Sequence, residues 1–254
     1  MKTLTFEGTS IGELIALIER QPGGLRHLFR GQGDAAWVLM PSLYRIEHPN
    51  VHAGTQERSY DHYEAALIDL FFREGHPYLP AIQRGYSNDR ILAQHFGVPT
   101  RLLDWSRDPL VALYFALEDW SQQTDAAIYM LLPDAKYLPE QIKGAGPHQA
   151  IELTPPAIDR RIPAQKSVFT FHSYGTPDEP FVPLDLREGV GNHITDASNG
   201  LVRGFYKIII PAHRRRLLFQ SLLGMGVDRR NLFPGLDGVG ADISQRANLG
   251  QVWD

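Results

Sequence analysis

The run TRLLDWSRDPLVALYFAL, residues 100–117, constrains the fold more tightly than any other part of the chain. Arg101 to Trp105 is a short apolar and aromatic run, which predicts a buried strand. Asp108 follows with a side-chain oxygen suited to capping a helix. Pro109 then takes the first helical position, where its missing N–H costs nothing and its fixed φ is already helical. Leu110, Leu113, Tyr114 and Leu117 give that helix an apolar face.

The remaining pattern fills in around this unit. Ser10 and Glu13 form a capping box ahead of a helix bearing Leu14, Ile15, Leu17 and Ile18, which Gly23 and Gly24 should end. Leu28 to Gly31 reads as a strand entering a glycine turn. A helix is expected over residues 55–73, with Tyr60, Tyr63, Leu67, Ile68 and Phe71 inward. Another is expected from an Asn88 cap through Ile91, Leu92 and Phe96 to Gly97 and Pro99. Residues 126–132, 167–171 and 205–210 are strand-like, residues 214–223 helical, and a last helix follows Asp237. The elements do not alternate as in a doubly wound fold. They predict an α+β class, with a mixed or antiparallel central sheet flanked by helices. One domain over residues 1–254 is expected: a helical lead at 1–27, a core at 28–172, a loop-rich insertion at 173–204, and a C-terminal strand with helices at 205–254. The insertion, rich in Gly, Pro, Asp and Asn, reads as a lid or a hairpin-bearing excursion.

Composition excludes several classes. Lys+Arg 25 against Asp+Glu 29 leaves a net charge of −4, the wrong sign for a general nucleic-acid coat. The absence of cysteine removes disulfides, thiolate nucleophiles and sulfur-ligated zinc. No basic head with an apolar stretch opens the sequence, and no run is long and apolar enough to span a bilayer, so a cytoplasmic protein with no membrane partner is expected. There is no Walker loop, no complete G-x-G-x-x-G and no H-E-x-x-H, and no metal is expected.

Polar residues gather at three predicted strand ends. Phe29-Arg30-Gly31-Gln32, with Pro41 to Arg45 beyond, suits a phosphate or carboxylate clamp, with Gly31 admitting close approach to the backbone. A structural Arg–carboxylate pair is the alternative. Gln94 and His95, with Thr100, Arg101, Asp104, Trp105 and Ser106, place many hydrogen-bonding groups among Leu, Phe and Trp. They are satisfied either by one another or by a ligand. Tyr114 offers a ring face to a planar group or is plain core. Gln165, before the strand at residue 167, suits a sugar hydroxyl or a surface turn. Arg214 to Arg216 with Arg229 and Arg230 is either a phosphate-binding patch or a solvated face.

FRGQG at 29–33, PSLYR at 41–45 and AQHFGVPTRLLDWSRDPLVALYFAL at 93–117 resemble the FRG domain, as do RIPAQKSVFTFH at 161–172 and LFPGLDGVGADI at 232–243. The resemblance implies a bacterial or phage setting. A more distant likeness is to ADP-ribosyltransferases: Arg30-Gly31 for the early Arg-Gly, Asp104-Trp105-Ser106 with the helix after it for the Ser-bearing strand, and Gln165-Lys166-Ser167 for the late Gln/Glu-x-Glu. It implies a split sheet and NAD as substrate. His95, Asp104 and Gln165 would be catalytic, and Arg30, Gly31, Arg101, Trp105, Ser106 and Tyr114 would bind NAD. Ser167 stands where the catalytic Glu would be, which passes that role to Asp104 or Glu152 or points to a binding module without turnover. The implied setting is a toxin or defence effector, with a protein or nucleic-acid acceptor and an antitoxin or phage protein as partner.

Overall fold

The structure, a computed structural model, describes residues 1–46, 60–79, 84–133, 135–137, 150–172, 181–190, 194–195, 201–202 and 204–250. Its strands are β1 (Lys2–Thr5), β2 (Leu28–Gln32), β3 (Leu102–Ser106), β4 (Ala126–Leu131), β5 (Ala135–Tyr137), β6 (Ile151–Leu153), β7 (Ser167–Phe171), β8 (Ile194–Thr195), β9 (Leu201–Val202) and β10 (Phe205–Ile210). Its helices are α1 (Ile11–Glu19), α2 (Tyr60–Gly75), α3 (Tyr86–His95), α4 (Pro109–Leu117), α5 (Arg161–Ala164), α6 (Arg215–Gly224), α7 (Arg229–Leu232) and α8 (Leu236–Leu249). Eight strands form one mixed sheet in the order β1-β10-β4-β2-β3-β7-β6-β5. β1 with β10 and β5 with β6 are parallel, and the other neighbours antiparallel. This is an α+β fold. Among the described residues no helix is long and apolar enough to cross a membrane.

β4 is buried at every position because both faces of the sheet are covered. Ala126, Ile128 and Met130 pack with residues of α1, α4 and α6, while Ala127, Tyr129 and Leu131 pack with Leu39, Leu184 and Val190. The period of two along a strand divides these sets. Asp108 caps α4 by accepting from the Leu110 N–H at 2.8 Å, with Pro109 at the first position, as the sequence predicts. The capping box of α1 is also present.

Four local expectations are corrected. β1 opens a stretch expected to be only a helical lead; KTLT is a short edge strand held by β10. Asn88 lies inside α3, whose N-cap is Gly85. The buried line of α2 is Glu64, Ile68 and Phe72: Ile68 is inward as expected, but Glu64 and Phe72 take the places expected of Tyr63, Leu67 and Phe71, because the line begins with a charged residue. Arg215 is not on a solvated face: its guanidinium is fully buried and donates to the carbonyls of Gly33, Thr124, Ala116 and Asp119. Residues 55–59 and most of 173–204 lie outside the described residues; of the latter, β8 and β9 pair with each other.

The feature that positions the site is a seam. β2 pairs with β4 along its whole length and β3 with β7 likewise, yet β2 and β3 share one register pair, Phe29 with Ser106. Beyond that pair the two halves of the sheet diverge. Arg30 Nη1 reaches across and donates to the Asp104 carbonyl at 2.7 Å, satisfying an acceptor that a ladder would otherwise take.

Candidate functional site

A cleft of about 830 Å³ opens over this seam, within the roughly 300–1,000 Å³ common for small-molecule sites. Its floor is β2 and the end of β3. One wall is the stripe Val111, Ala112, Phe115 and Glu118 along α4 and just past its end, facing Phe233, Arg161 and Gln165. The other wall comes from Trp37, Val38, Met40 and Arg45 and from Gln94 and His95 at the end of α3.

Of the residues singled out in the sequence, Arg30, Gly31, His95, Asp104, Trp105, Ser106 and Gln165 line this cleft, drawn from separate segments of the chain. Their states differ. The Arg30 side chain is 23% exposed and lies 3.8 Å from an Asp104 carboxylate oxygen. Its buried Nε has no hydrogen-bond partner among the described residues. Burial pulls the guanidinium below its ordinary value; Asp104 opposes that pull and Arg45 adds to it. Asp104 is 61% exposed and accepts from Gln94 Nε2 at 2.8 Å. His95 Nε2 lies 3.3 Å from Asp159. Gln165 donates its amide to the Leu232 carbonyl at 3.0 Å. Ser106 is committed internally, donating to the Gln165 carbonyl at 2.8 Å and accepting from the Asp108 N–H at 2.9 Å. The turn carrying Gln165 and Ser167 passes through Lys166 at φ 47, a left-handed conformation uncommon outside glycine, and the Lys166 ammonium is held 2.6 Å from Asp108.

Some expected roles do not fit these placements. Arg101 is away from the cleft, buried against Glu64 and also paired with Asp61. Tyr114 is fully buried core with its hydroxyl donating to Gln245 at 2.9 Å, so its ring is closed to a ligand. Trp105 borders the cleft, but its indole donates to Thr170 at 2.7 Å and its ring packs with Leu103 and Val168. Gly31 is needed for a neighbour other than a ligand: a Cβ there would sit 1.9 Å from the Ala112 carbonyl oxygen of α4. Glu152 is not in the cleft; it is buried with Arg107 and Lys136 as ion partners.

Sequence reasoning missed Trp37, Phe115, Phe233 and Glu118. Trp37 is 55% exposed on the rim. The available signal was the spacing of Val111, Phe115 and Glu118, which shares one helical face.

Behind the floor, Thr170 Oγ1 joins the Trp105 indole to His172 Nε2 at 2.7 Å. Burial, with repulsion from Arg187 and Arg30, holds the His172 imidazole well below its ordinary value of 6.5. The native ring is therefore neutral where an unfolded chain would take a proton. Stability should be level above pH 6.5 and fall as the pH drops below it, by at most about 1.4 kcal/mol per pH unit from this group. Melting temperatures from pH 8 to pH 5 check this. His172→Gln should show a shallower loss, and identical slopes would remove His172 as the cause.

Among known proteins, the family model for the FRG domain matches residues 26–125. No curated protein matches the chain, and no solved structure does. The matched segment supplies both strands of the seam, the rim residues Trp37 and Arg45, and the α4 wall. The chain contains an FRG domain, and the floor of its cleft is built from it.

Proposed function

We propose that the cleft binds NAD and that the chain is an ADP-ribosyltransferase-like enzyme, passing ADP-ribose to water or to a nucleophile on a macromolecule. The observation that carries this reading is the placement of Arg30. It stands on a pinched seam at the floor of a nucleotide-sized cleft, with one nitrogen on the Asp104 carbonyl and a buried Nε left without a partner among the described residues. A guanidinium fork so placed suits a pyrophosphate, with Arg45 as a second positive charge in the cleft, near enough to repel Arg30. Gln165 spends its amide nitrogen on Leu232 and keeps its carbonyl oxygen for a ribose hydroxyl. Trp37 and Phe115 offer apolar ring surface to the bases.

Calorimetric titration with NAD, together with an assay for released nicotinamide, tests the proposal. The wild-type chain should bind NAD and release nicotinamide. Arg30→Ala should weaken binding at least about tenfold, since hydrogen bonds to a charged group are each worth roughly 1.5–3 kcal/mol. Arg30→Lys should not restore it, because an ammonium lacks the planar fork. A wild-type chain that binds neither NAD nor ADP-ribose would overturn the reading. A second reading, a recognition module without turnover, is favoured by the internal commitment of Ser106 and by Ser167 standing where a carboxylate is expected. It requires NAD or ADP-ribose binding with no nicotinamide release.

A further inference from the structure

We infer that Glu118 is the catalytic base of this cleft and that Arg229 is its positioning residue; the inference rests on the NAD reading above. Displacing nicotinamide from a ribose passes through a cationic anomeric carbon, which calls for a carboxylate in a partly dry setting close to the reacting centre. The described carboxylates lining the cleft are Asp104 and Glu118. Asp104 is the more exposed, is held by Gln94, and faces Arg30, where the phosphates would sit. Glu118 is 40% exposed. It follows Phe115 by one helical turn on the face of α4 that lines the cleft, opposite Phe233. Those two rings meet edge to face at 6.1 Å and form an apolar surround.

Arg229 fixes the carboxylate. Its Nη1 donates to Glu118 Oε2 at 3.0 Å, while its guanidinium lies 3.9 Å from the Phe233 ring centre. The charges and titratable groups acting on Glu118 are Arg229 from α7, Asp119 beside it in the chain, and the Tyr114 hydroxyl on its own helix. Burial raises the Glu118 carboxyl above its ordinary value and Arg229 opposes the rise, so the group is a stronger base than an exposed carboxylate. In the step, a water or a hydroxyl or amine acceptor forms a bond to C1′ of the nicotinamide ribose. The C1′–N bond breaks and its electron pair passes to the nicotinamide nitrogen, which loses its positive charge. The acceptor's proton passes to Glu118 and then to solvent.

Glu118→Gln keeps the shape and removes the base. Nicotinamide release should fall at least a hundredfold while NAD affinity by calorimetry stays within about threefold of wild type and the melting curve holds. Glu118→Asp should recover part of the rate. In Arg229→Gln, removal of the opposing charge should move the acid limb of kcat/KM to higher pH, which a merely structural role for Arg229 would not do. Glu118→Gln releasing nicotinamide at the wild-type rate overturns the assignment of Glu118 and leaves the NAD site standing. An unmoved acid limb in Arg229→Gln overturns the role of Arg229. A wild-type chain that binds NAD without releasing nicotinamide overturns the catalytic assignment alone. A wild-type chain that fails to bind NAD overturns both readings together.

Discussion

Glu64→Gln is expected to destabilise the chain by about 3–5 kcal/mol, the usual cost of breaking a buried ion pair by removing one partner. Glu64 is fully buried in the second turn of α2. Its Oε2 accepts from Arg90 Nε at 2.9 Å and from Arg101 Nε at 2.6 Å, and its Oε1 from the Arg101 backbone N–H at 2.9 Å. One carboxylate thus joins α2 to α3 and to the start of β3, and two buried guanidinium groups depend on it. Arg101 keeps the exposed Asp61, and Arg90 keeps the Tyr86 carbonyl and ring, so the loss is large but not total. Urea unfolding of wild type and variant gives the number. A difference under about 1 kcal/mol would mean that the cluster is solvated enough to dispense with its anion. Replacing the cluster together, as Glu64→Leu with Arg90→Met and Arg101→Met, should recover most of the loss, because no charge is then left unpaired in the interior.

This cluster also explains why the site was legible only in part. Features whose cause lies within a few residues were readable: the Asp108-Pro109 start of α4 and the capping box at Ser10 each close on their own neighbours. The line along α2 is misplaced in part because apolar periodicity cannot see a buried carboxylate at its start. Arg101 and Arg30 carry the same local signature of an Arg beside large apolar residues. What separates them is Glu64, far away in sequence, which meets one and not the other. Tyr114 and Glu118 lie on the same short helix segment, yet Gln245 and α6 close over the first while the second reaches the cleft. Arg215 falls in a run of three arginines that reads as surface, and only carbonyls from three other segments show that it is interior. Local chemistry fixes starts such as those of α1 and α4, though not that of α3; partners distant in sequence decide which polar groups remain for a ligand.

Gly31→Ala should be the most damaging single methyl that can be added to the seam. The new Cβ would lie 1.9 Å from the Ala112 carbonyl oxygen and 2.6 Å from the Ala116 nitrogen, both backbone atoms of α4. Neither can rotate away, so β2 and α4 must separate, and the cost should reach about 3 kcal/mol, the upper end of what overpacking exacts. Ala112→Gly should not rescue it, because the clash is with main chain. The same substitution at Gly240 within α8, where a Cβ meets nothing within 4 Å, should instead gain up to about 1 kcal/mol from helix propensity. Thermal melts of the two variants should therefore move in opposite directions. The functional effect follows from position: Gly31 is next to Arg30, and α4 carries Phe115, with Glu118 just past its end, along one wall of the cleft. Any Gly31→Ala protein that still folds should lose NAD affinity by more than its stability loss explains, since displacing α4 moves Phe115 and Glu118 relative to the cleft floor. A variant with wild-type stability would show that α4 yields at this contact, and the tight packing of α4 on β2 would no longer be what sets the width of the cleft.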